Sequence, residues 1–383
     1  MIKMLTACTE EVDEADDAVD EILGQLGPVS NLAANSLGII NCDPEFVESG
    51  VVEELAKRLP FDTVGVTTRA GAARGVFGSA LLSLSVLTAD DVNFSIARSE
   101  TITADNTDEA FASAYNSAAG GLPEKPVFAL CYPPIIVPIG SYAMTSAVFK
   151  AAGGTPVFGT LSCSPFADHS NNLTIMNGTA DGSSAVLALI SGNIHPDFCM
   201  VSIPEQNIQR QYGIITKSEG CLVYKINDMS VPAYLERQGF PHSSINQDSL
   251  YLIPFMVGSE NPTASALYGI TDEGVAIFGS EMPEGKEISP CSLNYNGIME
   301  TTEKLLRKIS LKKNINGILF YSCLVRQVLL GAKNDDELKK VIEKVDGIVP
   351  YQICYSGGEI CPVNEDGGLK NGIHNYTLIA CIF

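Results

Sequence analysis

Apolar and polar residues alternate in short blocks along this chain, and the blocks predict strands and helices in a recurring order. The opening run MIKMLTAC predicts a strand. The next stretch, TEEVDEADDAVDEILGQLG, predicts a helix with Thr9 as its cap and Gly27-Pro28 as its end, because its apolar residues recur at helical spacing. NLAANSLGIINC predicts a second strand, and DPEFVESGVVEELAKRL predicts a helix capped by Asp43 with Pro44 at its first position.

The same order of elements occurs three times. PFDTVGVTT is a strand that enters a glycine-rich turn, and two further strands follow it. After the linking helix TDEAFASAYNSAAGG, a second pass runs from KPVFALCYPP through the helix SYAMTSAVFKAAGG to TPVFGTLSCSP. A third pass runs from INGILFYSC through NDDELKKVIEKV to IVPYQICYSGGEICP and HNYTLIACIF. Each pass delivers a short polar turn from the end of a strand, and the pattern indicates repeated units. The turns are TTRAG, LSCSP and YSGGE.

Residues 205–300 interrupt this pattern with strands, a turn at Asn227-Asp228, a helix begun by Pro232 and further strands. Polarity rises near EQNIQRQYG, so we predict two sub-domains, residues 1–205 with two repeated units and residues 206–383. Short consecutive strands after each turn favour antiparallel pairing. The predicted fold class is therefore mixed α/β, built from strand-helix-strand-strand units with mixed sheets.

The composition excludes several classes of protein. The chain has 383 residues, of which 45% are apolar, so we expect two or three domains and a large core. The acidic N-terminus and the lack of a long apolar run predict a cytoplasmic protein with no membrane contact. A formal net charge of −21 repels phosphate backbones, so we expect no nucleic-acid partner.

Cysteine and histidine usage argues against metal and cofactor chemistry. The 11 cysteines form no C-x-x-C pair and lie mostly in apolar runs, which indicates reduced, packed thiols. The chain has 4 histidines and none of the nucleotide-loop, nucleophile-elbow or H-E-x-x-H motifs. We expect no metal and no cofactor.

The second half of the chain contains five motifs in this order: SEGCLVYKINDMSVPAYLER, GSEMPEGKEIS, ILFYSCLVRQVLLG, VPYQICYSGGEICP and GIHNYTL. Together these motifs resemble the FIST family. A looser N-terminal match rests on the opening strand and acidic helix, NLAANSLGIIN and VGVTTRAG. The resemblance implies a FIST N-terminal region over residues 1–205 and a FIST C-terminal region over residues 206–383.

The resemblance also implies a function. FIST proteins are sensory modules of signal transduction, and amino acids or their derivatives are the family's proposed ligands. Members are often joined to a kinase, cyclase or chemoreceptor output domain, for which this chain has no room. We therefore expect a small-molecule ligand and a separate signalling protein as partners.

The third turn carries the strongest candidate site. Gly357 and Gly358 would leave backbone N–H groups open to a carboxylate, and Glu359 would accept hydrogen bonds from an ammonium group. Arg326, just past the strand GILFYSC, would hold the ligand carboxylate in a bidentate contact. Two alternatives stay open: Arg326 could be a surface residue or pair with Glu359, and Glu359 could simply face solvent.

Residues around this turn extend the candidate site. Ser356 precedes the two glycines, and Cys323 ends the strand before Arg326. Cys323 could contact a ligand or be packed in the core. His374 and Asn375 could do the same, or tie down the closing strand through hydrogen bonds to the backbone.

The N-terminal half offers weaker candidates. Arg69 lies in a basic glycine turn, which could also be an exposed hairpin tip. Ser162 and Cys163 lie in the matching turn of the second pass. Nearby polar residues invite a metal or catalytic interpretation, which the divergent directions of adjacent loop side chains disfavour. These residues are Asp168, His169 and Asn172.

The residues and the family resemblance together leave three functions open. The first is a sensor that binds a small ligand where the three turns converge. The second is an enzyme, for example a hydrolase with Cys323 or Cys163 as its nucleophile. The third is a scaffold without a ligand. We prefer the first and expect no catalytic residue.

Overall fold

Helices and strands, the two element types that the sequence predicts, are both abundant in the folded chain. The computed structural model describes residues 2–136, 139–164, 171–208, 212–240, 247–258, 262–365 and 367–383. Helices pack on sheets that contain both parallel and antiparallel strand pairs, which confirms the mixed α/β prediction. No helix in these ranges combines the length and apolar character needed to cross a bilayer.

The first repeat follows the opening apolar runs closely. Its helix α1 begins later than Thr9, because Thr9 still belongs to a strand and its hydroxyl accepts the N–H of Glu11 at 3.0 Å. The second predicted helix is split at Gly50, whose φ is +85°. The elements are β1 (Lys3–Thr9), α1 (Ala15–Leu26), β2 (Asn35–Cys42), α2 (Glu45–Glu48), α3 (Val51–Arg58), β3 (Asp62–Thr67), β4 (Ala70–Ala73), β5 (Val76–Gly78) and β6 (Leu82–Ala89).

The second repeat has the same kinds of elements in the same order. Its second helix ends, as predicted, at the left-handed Gly153 (φ +56°). The elements are β7 (Val92–Arg98), α4 (Thr107–Gly120), β8 (Phe128–Tyr132), α5 (Ser141–Ala152), β9 (Val157–Thr160), β10 (Thr174–Met176), β11 (Thr179–Asp181) and β12 (Val186–Gly192).

The third repeat contains a long insertion after its first strand, β13 (Asp197–Val201). The insertion comprises β14 (Gly213–Glu219), β15 (Leu222–Ile226), β16 (Met229–Ser230), α6 (Val231–Arg237), β17 (Pro254–Val257), β18 (Thr263–Ile270), β19 (Ala276–Phe278) and β20 (Glu287–Pro290). The repeat then resumes with α7 (Tyr295–Ser310), β21 (Ile318–Cys323), α8 (Leu324–Leu330), α9 (Asp336–Val345), β22 (Tyr351–Ser356), β23 (Glu359–Glu365), β24 (Gly368–His374) and β25 (Leu378–Ile382).

Strand order is the same in the three repeats. The orders are β1-β6-β2-β3, β7-β12-β8-β9 and β13-β25-β21-β22. In each, the last two strands of the order are parallel and joined by a helical crossover, while the other pairs are antiparallel. The chain is therefore a threefold repeat, which the three sequence passes indicated in outline.

Each repeat also contributes a hairpin to the sheet of another repeat. The hairpin β4–β5 pairs with β22, β10–β11 pairs with β3, and β23–β24 pairs with β9. The exchange is cyclic, so every one of these three sheets has six strands drawn from two repeats. The predicted division at residue 205 stays a prediction, although β13 before it and β25 after it share a sheet.

The three sheets enclose one core, and the helices cover their outer faces. Leu37, Leu130 and Leu319, one from each sheet, belong to the same buried cluster. Close strand contact explains two glycines at matching positions: a Cβ on Gly65 or on Gly159 would lie 1.9 Å from a carbonyl oxygen of the neighbouring strand.

The insertion forms a closed barrel of its own. Six strands follow the order β14-β20-β17-β18-β19-β15, and β15 pairs back with β14. The predicted turn at Asn227 and Asp228 is present, with φ values of 51° and 59°, and α6 follows with Pro232 in its first turn. Closure leaves no free edge within this ring of strands.

Candidate functional site

The three polar turns meet at one end of the three-sheet body. They follow β3, β9 and β22, and within each sheet the carboxyl end of that strand lies beside the carboxyl end of its parallel partner. Each turn donates a backbone N–H to the end of a strand in another repeat: Arg69 to Tyr355 (3.2 Å), Cys163 to Thr67 (2.9 Å) and Gly357 to Leu161 (3.1 Å). These hydrogen bonds form a cyclic set, so the predicted convergence of the turns is present.

A hydroxyl residue precedes each of the three donors. Thr68, Ser162 and Ser356 are all buried. Ser356 accepts a hydrogen bond from Thr160 Oγ1 at 2.5 Å, whereas Ser162 Oγ has no partner among the described residues. The centre of the turn cluster is therefore polar and not fully satisfied.

Glu359 lies at the start of β23, directly after the third turn. Its side chain is fully buried, with 0% exposure, so the solvent-facing alternative does not apply. Oε2 accepts from Thr377 Oγ1 at 2.7 Å, and Oε1 has no partner within the described part of the chain. Buried polar atoms are nearly always paired, so an unpaired carboxyl oxygen marks a candidate contact point for a ligand.

The electrostatic surroundings keep Glu359 protonated. Burial raises the pKa of this carboxyl well above its usual value, and the hydrogen bond from Thr377 and the more distant charge of Arg326 only partly oppose this. Burial also raises the pKa of the Cys323 thiol, and the neighbouring Glu359 raises it further. Thr377 connects the two residues, since its hydroxyl donates to Glu359 at 2.7 Å and its carbonyl oxygen accepts the N–H of Cys323 at 2.9 Å.

The segment after β24 shapes the wall beside Glu359. Tyr376 is buried and has a φ of 58°, a left-handed conformation that is strained for an aromatic residue and is often found at functional sites. The turn carries Thr377 to Glu359 and carries Asn375 to the barrel, where its Oδ1 accepts the N–H of Ala266 at 3.1 Å. Asn375 Nδ2 also donates to the hydroxyl of Tyr268 at 3.4 Å.

His374 is the last residue of β24, in the hairpin that β24 forms with β23. Its Nε2 is 2.9 Å from the carbonyl oxygen of Cys361, and Nδ1 has no partner in the described ranges. Burial lowers its pKa, so the ring is neutral at physiological pH. The contact with Cys361 matches the strand-anchoring alternative for this residue.

Arg326 does not present a free guanidinium. It is fully buried, and Nε and Nη2 both donate to Glu337 Oε1, at 3.1 Å and 2.5 Å. Its remaining donors contact other protein oxygens: Thr301 Oγ1, Thr302 Oγ1, Ile298 O and Tyr376 O. The expected ligand contact is therefore replaced by a structural ion pair, and its partner is Glu337 rather than Glu359.

Glu337 completes this network as an ionised group. Burial would raise its pKa, but the charge of Arg326 and hydrogen bonds from Arg326, Ser322 and Thr302 outweigh burial and lower it. Ser322 Oγ donates to Glu337 Oε2 at 2.7 Å. This pairing could not be predicted from the sequence, because Glu337 lies in the acidic start of a predicted helix.

The glycines of the third turn also differ from the expectation. The N–H of Gly357 is used in the cyclic set of hydrogen bonds, so it is not open to a ligand carboxylate. A Cβ on Gly357 would lie 2.5 Å from Ile135 Cδ1, and the carbonyl of Gly358 accepts from Leu161 N–H at 3.0 Å. Gly357 therefore permits close packing of the turns, whereas Gly358 supplies a backbone φ of +145° that favours glycine.

Arg69 is the cationic candidate that stays available. Its side chain is partly exposed and has no hydrogen bond or ion pair with any described residue. Burial raises the pKa of the Cys163 thiol to about 12, while Arg69 opposes the shift and Glu359 adds to it. Arg69 and Glu359 are thus both within electrostatic reach of one thiol.

Other candidates contribute less. Asp168 and His169 lie outside the described residues. Asn172 is buried, and no group of three potential metal ligands occurs in the described ranges. A groove of about 540 Å³ lies at the opposite end of the first sheet, beside Asn35 and Asp62. None of the predicted site residues lines it.

Two residues of the site were missed by the sequence interpretation. Tyr268, on β18 of the barrel, touches Asn375, and Thr160, at the end of β9, donates to Ser356. Tyr268 lay in a stretch with no polar turn, so nothing in the pattern pointed to it. Thr160 could have been found from the sequence, because it is a hydroxyl residue at the end of a predicted strand.

Comparisons with solved structures find only distant likeness. Cyanuric acid hydrolase from A. caulinodans is 10% identical with a TM-score of 0.39, and the match covers 100% of this chain and 98% of that one. A chorismatase is 8% identical with a TM-score of 0.36, covering 100% and 99%. Another cyanuric acid hydrolase structure is 9% identical with a TM-score of 0.36 and the same coverage. Superpositions of this quality support no conclusion about activity.

The family comparison is more informative. No curated protein matches the sequence. A family model for the FIST N domain matches residues 36–229, and one for the FIST C domain matches residues 231–362. Together the two matches span most of the chain, so the protein belongs to the FIST family of sensory domains.

Proposed function

We propose that this protein is a cytoplasmic sensor that binds a small polar ligand where the three turns meet and signals through a separate partner protein. The ligand class we favour is an amino acid or a derivative with both an ammonium and a carboxylate group. Glu359 would receive the ammonium group, and Arg69 would receive the carboxylate.

The observation that carries this proposal is the unpaired, fully buried Oε1 of Glu359. A buried polar atom without a partner costs about 1–3 kcal/mol. A bound ammonium group would supply the missing hydrogen bond, and its positive charge would favour release of the Glu359 proton, so that the carboxylate and the ammonium group form a charge-assisted pair. Ligand binding would therefore remove the free-energy cost of the unpaired Glu359 oxygen in the unbound protein.

Arg69 supports the other half of the ligand. It is brought to the third turn by its own backbone N–H, which donates to Tyr355 O at 3.2 Å. An arginine that is partly buried and without a partner among the described residues suits bidentate carboxylate binding. A ligand with one charge only would satisfy one of the two groups.

We prefer binding to cysteine-dependent hydrolysis. Burial raises the pKa of Cys163 to about 12 and raises that of Cys323, so both remain thiols near neutral pH, whereas the thiolate is the nucleophile. Stoichiometric labelling of either thiol by iodoacetamide at pH 7 would support the enzyme instead.

Isothermal titration calorimetry against the twenty amino acids, methylamine and acetate tests the proposal. We expect at least one amino acid to bind, and Glu359→Gln and Arg69→Gln to weaken that binding by about tenfold or more, since each charge-assisted hydrogen bond is worth about 1.5–3 kcal/mol. Arg58→Gln is the matched control, because Arg58 pairs with Asp20 on the helical surface. No binding by any compound to folded wild-type protein would contradict the proposal.

A further inference from the structure

A partly exposed tyrosine of the inserted barrel contacts the buried segment beside Glu359. Tyr268 on β18 is 44% exposed, yet its hydroxyl lies 3.4 Å from Nδ2 of Asn375, which is 2% exposed. By contrast, Glu359, Cys323 and Thr377 beside it are at most 3% exposed.

The Tyr268 hydroxyl is connected to Glu359 through the segment after β24. Asn375, which donates to this hydroxyl, is two residues before Thr377, and Thr377 donates to Glu359 Oε2 at 2.7 Å. The carbonyl oxygen of Thr377 also accepts the N–H of Cys323 at 2.9 Å, so Tyr268 lies at the exposed end of a chain of contacts that leads to the buried carboxyl.

The lack of a side chain at Gly279 leaves space for the contact between Tyr268 and Asn375. Gly279 directly follows the barrel strand β19, and a Cβ at this position would lie 2.5 Å from Asn375 Oδ1 and 3.0 Å from the Tyr268 hydroxyl. Its carbonyl accepts a hydrogen bond from Ser141 at the start of α5, at 3.3 Å. A side chain at position 279 would push either the tyrosine or the asparagine away.

We propose that Tyr268 of the barrel forms the entrance to the Glu359 site, so that a ligand must pass and then contact a residue of the inserted barrel. This inference rests on the proposed function, and it adds which part of the protein responds to the ligand. The hydrogen bonds from Ala266 and to Tyr268 join Asn375 directly to β18, so a shift of Tyr268 moves the contact between the barrel and the three-sheet body.

The rate at which a thiol reagent labels Cys323 tests the role of Tyr268 at this entrance without any ligand. The protein is treated with the uncharged reagent 2,2′-dithiodipyridine, and peptide mass spectrometry follows the labelling of each cysteine. We expect Tyr268→Ala to label Cys323 at least about tenfold faster than wild type, because the thiol becomes reachable while its local chemistry is retained. Tyr268→Phe should leave the rate close to that of wild type, since the ring that covers the site is kept.

Cys42 is the internal reference, because it is fully buried in a different cluster behind the first sheet. Faster labelling of Cys42 as well would show general loosening of the variant and would overturn the inference. Equal labelling of Cys323 in wild type and Tyr268→Ala, with unchanged thermal unfolding, would also overturn it. Neither outcome bears on whether an amino acid binds, which the calorimetry decides separately.

Discussion

Two fully buried glutamates lie in the C-terminal half, and their partners give them opposite charge states. Glu337 is held by the guanidinium of Arg326 and two hydroxyls, which lower its pKa. Glu359 has one hydrogen bond from Thr377, and burial raises its pKa. One glutamate is therefore structural and ionised, and the other is neutral with an oxygen left over.

The two glutamates predict opposite pH dependences of stability. A raised folded-state pKa contributes stability below the unfolded value and loses it as pH rises, and a lowered pKa does the reverse. The free energy of unfolding of wild type relative to Glu359→Gln should therefore fall as pH rises above about 4.5, the usual carboxyl pKa. Relative to Glu337→Gln, it should fall as pH decreases below about 4.5.

Urea unfolding at pH 2.5 to 8 measures both profiles, since the Glu337 effect develops below about pH 4.5 and the Glu359 effect above it. The slope of each should be no more than about 1.4 kcal/mol per pH unit, since one proton is involved. Parallel profiles for the two variants would contradict the assigned charge states.

Replacing Arg326 should destabilise the protein rather than only remove a ligand contact. Arg326→Ala leaves Glu337 buried without its counter-charge, which costs about 3–5 kcal/mol. Arg307→Ala is the control, because Arg307 is exposed and its pair with Glu303 at 3.2 Å lies in water, where such pairs contribute about 0–1 kcal/mol. Thermal unfolding of both variants checks the difference, and similar melting temperatures would contradict the structural role.

At the scale of elements, the sequence was informative where the signal is local. The apolar runs and glycine stops predicted β2, β8 and β21 and the helix α5 close to their observed bounds. The exchanged hairpins were not predicted, because β4 (AGAA) has no polar alternation and its partner β22 lies far away in the sequence. The pair of Arg326 and Glu337 depends on how α8 and α9 pack, which spacing alone does not reveal.

Close contact between parallel strands predicts a strict requirement for glycine. Gly65→Ala would place a Cβ 1.9 Å from Ile40 O, so β2 and β3 must separate, at a cost of about 1–3 kcal/mol or more. Gly24→Ala is the matched control, because Gly24 lies in α1 with no atom within 4 Å of the added Cβ. The control should gain about 0.5–1 kcal/mol from helix propensity, and equal effects in urea unfolding would contradict the requirement.

At the scale of the whole molecule, the cyclic exchange of hairpins makes the three repeats one folding unit. Each of the three sheets takes its outer two strands from another repeat. The site also depends on this exchange, because the turn hydrogen bonds run from each repeat to another. The barrel, in contrast, closes on its own strands.

This organisation predicts that a fragment of residues 1–192 does not fold stably. It lacks β23 and β24, which complete the second sheet, and it leaves β4 and β5 without β22. Unpaired strand edges expose backbone groups and favour aggregation. A cooperative unfolding transition and dispersed amide signals for this fragment would contradict the prediction.

A small ligand bound to Glu359 between the three turns would be visible in a crystal structure of the protein grown with the tightest-binding amino acid, and this is the decisive measurement. We predict density for the ammonium group within hydrogen-bond distance of Glu359 Oε1. Density for the bound amino acid in the groove beside Asn35 and Asp62, with the turns unoccupied, would contradict the claim.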